Sequence, residues 1–139
     1  MAGELLLDTG ALVSLLDRSQ HRHVVFTEYF ESWSDEVVTT EAVLTEAIHL
    51  LTRVRGGPEA CLDFVLSGGA VVVPASNASL RRARSLIEQY RDFPMDYADA
   101  TLVALAEDIG TNLIFTTDHR DFSIYRIGGR QEFTLLPSP

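Results

Sequence analysis

At 139 residues, 46% hydrophobic and 22% charged, the chain has the size and composition of one globular domain over residues 1–139, which excludes two ordinary domains and wholesale disorder. Twenty acidic residues against eleven basic ones give a net charge of −9, a poor balance for gripping nucleic acid by bulk electrostatics. All eleven basic residues are arginine, which excludes Schiff-base lysine chemistry, a P-loop lysine and the lysine of a phosphotransfer receiver.

A lone cysteine, Cys61, excludes an internal disulfide framework and reads as a small core residue. No basic stretch followed by a long apolar run opens the sequence, so no signal peptide is expected, and its apolar runs fall far short of the roughly 20 residues that span a bilayer. The expected compartment is the cytoplasm.

Residues 4–7 form a short apolar run ending at Asp8 and predict a strand. Leu12, Leu15 and Leu16 have helical spacing over residues 11–17, with Thr9 as the expected cap. A second helix is expected over residues 23–33, with Val25, Phe26, Tyr29, Phe30 and Trp33 on one side. Residues 36–40 predict a strand and residues 41–54 a helix, stopped by Gly56, Gly57 and Pro58. Pro58 suits the first turn of a further helix reaching about Leu66. Residues 70–73 predict a strand, residues 76–90 an arginine-rich helix, and residues 95–109 another that stops at Gly110. Strands are expected over residues 112–116, 122–126 and 132–136. Short apolar strands alternating with helices predict an α/β fold built on a mainly parallel sheet covered on both faces.

Within that frame a few acids stand out. Asp8 and Asp118 each follow a predicted strand, and ligands of open α/β sheets bind beyond the carboxyl ends of strands. Taken alone, Asp8 reads equally well as a helix cap. Glu46 lies opposite the apolar stripe Leu44, Ala47, Ile48 and Leu51, yet has Val43 and Leu50 beside it; it reads either as a cleft carboxylate or as a partner of Arg53. Asp96 and Asp99 share one face at the start of a largely apolar helix, with Asp96 a natural cap. Asp8, Glu46, Asp99 and Asp118 in one cleft would repel one another strongly without cations. An all-oxygen donor set suits one or two Mg²⁺ or Mn²⁺ ions, and such sites serve phosphoryl chemistry.

Four segments in order resemble the PIN-domain ribonucleases, in particular VapC-type toxins of toxin–antitoxin pairs. They are Leu6-Leu7-Asp8-Thr9, Thr39-Thr40-Glu41-Ala42-Val43-Leu44-Thr45-Glu46, Tyr97-Ala98-Asp99-Ala100-Thr101-Leu102 and Phe115-Thr116-Thr117-Asp118-His119-Arg120-Asp121-Phe122. The resemblance implies a three-layer α/β/α sandwich with a central, mainly parallel sheet. It also implies a metal-dependent endoribonuclease whose acidic tetrad is Asp8, Glu46, Asp99 and Asp118, with Thr9 and Thr116 in support. Products with 5′-phosphate and 3′-hydroxyl ends, homodimerisation and inhibition by a small cognate antitoxin follow from the same resemblance. Asp96 and Asp121 lie close enough to the motifs to share a role.

Arg81, Arg82, Arg84 and Arg91 cluster on one predicted helix and read either as a guide for RNA phosphates or as a solvated, ion-paired face. Arg120, Arg126 and Arg130 are further candidates to line a substrate path. His21 and His23 read as surface histidines, and His119 adjoins Asp118. Phe26, Tyr29, Phe30 and Trp33 read as core or a dimer face rather than a base-stacking platform. The rival reading is a non-catalytic interaction module on the same fold, against which the unpaired cleft acids argue. An acidic phosphotransfer receiver lacks its lysine, and a DNA-directed nuclease is disfavoured by the resemblance alone.

Overall fold

The computed structural model describes residues 3–138. Five strands form one sheet in the order β3-β2-β1-β4-β7: β1 is Leu5–Leu7, β2 Val37–Thr40, β3 Val71–Val73, β4 Leu113–Phe115 and β7 Thr134–Leu136. All four pairings are parallel. A small antiparallel hairpin, β5 (Arg126–Ile127) with β6 (Gln131–Glu132), stands apart from it. The helices are α1 (Thr9–Leu16), α2 (His23–Ser32), α3 (Glu41–Leu51), α4 (Gly57–Leu66), α5 (Asn77–Gln89), α6 (Tyr97–Ile109) and α7 (His119–Ile124).

Side chains alternate across a strand, so a sheet covered on both faces feeds two cores. On β1, Leu6 joins one core with Leu86 of α5, Leu102 of α6 and Phe122 of α7. Leu5 and Leu7 join the other with Leu12 of α1, Phe26 of α2, Leu51 of α3 and Cys61 of α4. The result is the expected three-layer sandwich. Phe26 and Tyr29 pack on Phe115, and Phe30 packs on Phe64, so these aromatics build the second core.

The strand order places a switch point between β1 and β4. From β1 the chain steps outward to β2 and β3, then returns to the opposite side of β1 as β4. At such a point the connections diverge and leave a crevice at the carboxyl ends of the strands. Asp8 and Asp118 lie beyond those two ends.

Four sequence expectations change. The strand expected over residues 132–136 divides into β6, which pairs in the hairpin, and β7, which pairs with β4. Thr9 is the first residue of α1 and Asp8 holds the cap position. Arg53 pairs with Asp17 at 3.3 Å, not with Glu46. Residues 122–126 do not form a strand: α7 covers His119–Ile124, and only Arg126–Ile127 is extended. The Asp118 carboxylate accepts from the Asp121 N–H and starts a helical turn there, which buries Phe122 and Tyr125 three residues apart and leaves Ile124 exposed.

Candidate active site

Asp8 is held where β1 ends. Its N–H donates to the Phe115 carbonyl at 3.0 Å, and the Thr39 hydroxyl donates to the Leu7 carbonyl at 2.7 Å. The Asp8 side chain makes no capping bond to α1 although it stands at the cap. Its Oδ2 accepts instead from the Thr116 hydroxyl at 2.7 Å. Thr116 Oγ1 in turn accepts the Asp118 N–H at 2.8 Å, so one buried hydroxyl fixes both strand-end acids.

Asp99 comes from the first turn of α6. Its N–H donates to Asp96 Oδ1 at 2.7 Å, which makes Asp96 the helix cap expected from the sequence. Its Oδ2 accepts from the Tyr125 hydroxyl at 2.9 Å. Tyr125 is fully buried, edge-on to both Tyr90 and Phe122, so its ring has little freedom and its hydroxyl a fixed aim. Asp118 Oδ1 accepts from the Asp121 N–H at 3.0 Å, which carries the Asp121 carboxylate into the same space. Asp99, Asp118 and Asp121 offer three oxygens that all lie within 4.8 Å of one another.

The electrostatics are adverse to ionisation. Burial pushes Asp8 up to about 7, and the charges of Asp118 and Glu46 add to the rise; the Thr116 hydroxyl and the Thr9 N–H oppose it. Burial likewise pushes Asp99 up to about 8, reinforced by Asp8, Asp96 and Asp118 and opposed by the Tyr125 hydroxyl. Asp121 is raised by burial and by the neighbouring Asp118 carboxyl. The Tyr125 phenol is held above its ordinary value by burial and by Asp99, so it stays a donor. Among the described residues no ion pair involves Asp8, Asp99, Asp118 or Asp121. Buried carboxylates without cationic partners are costly, and several converging oxygens suit a hard divalent ion. The residues present therefore fit such an ion.

Neither Asp8 nor Glu46 belongs to the three-oxygen group; Asp8 is linked to it by Thr116 and by the charge of Asp118. Glu46 lies on the second turn of α3, is half-buried, and acts on Asp8 through its charge. Thr9 is buried beside Asp8, and its hydroxyl has no partner. Arg82 is committed elsewhere: its guanidinium makes two bonds to Glu107, at 2.7 and 2.9 Å, which tie α5 to α6. Arg81 and Arg84 are exposed, with Arg84 3.7 Å from Glu88. Arg120 lies over the Phe93 ring. Sequence reasoning passed over Tyr125 and left Asp121 open. The available signal was an acid three residues after a capping Asp, followed by Phe122 and Tyr125 at helical spacing.

Residues 5–128 match the PIN-domain family. The chain belongs to that family. It is 32% identical over 135 residues to Ribonuclease VapC26 of Mycobacterium tuberculosis, covering 96% of this chain and all of the relative. The fold also matches solved structures of lower identity. One is Mycobacterium tuberculosis VapC20, a sarcin–ricin-loop-cleaving toxin: TM-score 0.76, 23% identity, 84% of this chain and 91% of that one. Another is Rickettsia felis VapBC2 bound to a promoter DNA fragment: TM-score 0.66, 15% identity, 96% and 99%.

Proposed function

We propose that this protein is a divalent-metal-dependent endoribonuclease, the toxin half of a toxin–antitoxin pair. The observation that carries the reading is the group of converging carboxylates with no cation among them, at the switch point of the sheet. A 32% identical ribonuclease that matches along its whole length supports RNA as the substrate. Solved relatives that include toxin–antitoxin complexes support a small protein partner.

In this reading Asp99, Asp118 and Asp121, with Asp8 and Glu46 beside them, hold one or two Mg²⁺ or Mn²⁺ ions. Such ions lower the pKa of water and neutralise charge on the scissile phosphate. Tyr125 keeps Asp99 aimed into the cleft, and Thr116 keeps Asp8 and Asp118 in register. Thr9, with its free hydroxyl beside Asp8, supports the same edge. No Ser, Cys or His nucleophile is needed, and the products carry 5′-phosphate and 3′-hydroxyl ends. The protein works as a homodimer in the cytoplasm until its antitoxin covers the cleft.

Total RNA incubated with the purified protein in Mg²⁺, Mn²⁺ or EDTA, beside Asp99→Asn, tests this. Discrete fragments that require metal and vanish in the variant are expected. Folded, partner-free protein that cleaves nothing in either metal would leave the interaction-module reading in its place.

A further inference from the structure

A cavity of about 710 Å³ is lined in part by residues that neighbour the acids in sequence. Its walls continue the elements that carry the acids. Gly10 follows Asp8 by two residues, Thr117 and His119 flank Asp118, and Leu50 lies one helical turn beyond Glu46 on α3. Gly10 shapes this wall, because a Cβ there would overlap the Thr117 hydroxyl.

The chemistry of this cavity is the reverse of the cleft's. No acid lines it, although the chain carries a net charge of −9. Arg22, Arg53, His21 and His119 do. Arg53 spends one nitrogen on Asp17 at 3.3 Å and keeps 59% of its side chain exposed. Arg22 spends one on the Ser138 carbonyl at 3.2 Å and lies over the Phe26 ring. A guanidinium has five donors, so both retain capacity for an anion. His119 Nε2 is shielded from solvent and has no partner. The volume falls in the range of small-molecule sites, roughly 300–1,000 Å³.

We propose that this cavity seats a nucleotide of the RNA strand adjacent to the scissile phosphate, with Arg22 and Arg53 on that nucleotide's phosphate. The proposal rests on the nuclease reading for the identity of the strand. It divides the labour: the acids with their ions take the scissile group, and the arginines take its neighbour. A strand held only at the acids would have one anchor; held at both, it has a register.

Two measurements separate this from the nuclease reading. In EDTA, where nothing is cleaved, adenosine 5′-monophosphate is titrated into the protein and followed by amide NMR. Shifts are expected at Gly10, Thr117 and His119, and they are lost in Arg53→Gln and in Leu50→Glu. The latter places a carboxylate at the rim on a residue already 40% exposed, so the fold tolerates it. Absence of those shifts in the folded wild type overturns the proposal. Equal shifts from inorganic phosphate also overturn it, because the cavity would then be an anion hole without nucleotide recognition. In Mg²⁺, cleavage of a single-stranded RNA oligonucleotide by Arg22→Gln and Arg53→Gln should show KM raised about tenfold, the scale of one charged hydrogen bond, with kcat within about twofold. Unchanged KM in both variants overturns the seat while leaving the nuclease intact. Nucleotide shifts in a protein that cleaves no RNA uphold the cavity and refute the nuclease.

Discussion

Helix α1 carries an aspartate at each end, and the two have opposite fates. Asp8 is 6% exposed and Asp17 4%. Asp17 accepts from the Ser19 N–H and hydroxyl, from Gln20 and from Arg53, and these donors hold its carboxyl down at about 2. Asp8 has one side-chain donor, Thr116, faces other acids, and is pushed up to about 7. Asp17 is covered by its own partners near the surface, while Asp8 lies deep at the switch point with nothing to neutralise it. Low exposure alone therefore does not mark a site; burial without compensating donors does.

The largest expected effect breaks the contrast at the deep end. Asp8→Asn and Asp99→Asn should each reduce RNA cleavage to background while the circular-dichroism spectrum and cooperative melting persist. Next come the residues that hold the acids. Tyr125→Phe removes the donor to Asp99 and should lower kcat about tenfold, the lower end for outer-layer partners of metal sites. It should also move the acidic limb of the pH–rate profile upward, since the hydroxyl lowers the Asp99 pKa. A purely structural role for Tyr125 would lower Tm without moving that limb.

The pH dependence of stability has opposite signs at the two ends. Asp8 and Asp99 ionise from 3.8 in the unfolded chain but near 7 and 8 in the native state, so the native state binds more protons across that window. In EDTA their contribution to stability should therefore fall as pH rises from about 4 to about 8. Asp17 ionises more readily when folded, so its stabilising contribution is present above about pH 4 and is lost as pH falls toward 2. Melting in EDTA at pH 8 should accordingly show Tm raised in Asp99→Asn and lowered in Asp17→Asn. A lowered Tm in both would mean that the cleft acids are already compensated.

The smallest effect concerns the arginine helix. Arg82→Gln should cost about 1 kcal/mol, the value of a partly exposed pair, and lower Tm by a few degrees without changing KM for RNA. A raised KM at unchanged Tm would instead make Arg82 a guide for the substrate.

The strand-end acids were legible because a run such as Leu5-Leu6-Leu7 ending in Asp8 carries both the strand and its carboxyl terminus in sequence order. Asp96 and Asp99 were legible as a capped first turn for the same local reason. What sequence could not supply was contact between distant residues. Tyr125 meets Asp99 across 26 residues, and Thr116 meets Asp8 across 108. Phe122 and Tyr125 have the spacing of a helical turn, but α7 is only six residues long, too short for local periodicity to settle without the cap at Asp118. The pairing of Arg53 with Asp17 rather than Glu46 depends on how α3 lies on α1, which no local pattern encodes.

Whether the uncompensated acids form a divalent-ion site is read by calorimetric titration of Mn²⁺ into the metal-free protein at pH 7. One or two ions should bind per chain, with an enthalpy that varies with buffer because protons leave Asp8 and Asp99 on binding. Asp99→Asn should remove most of the binding and most of the proton release. Wild-type protein that binds no Mn²⁺, or that binds it no better than Asp99→Asn does, would mean that these acids hold no divalent ion.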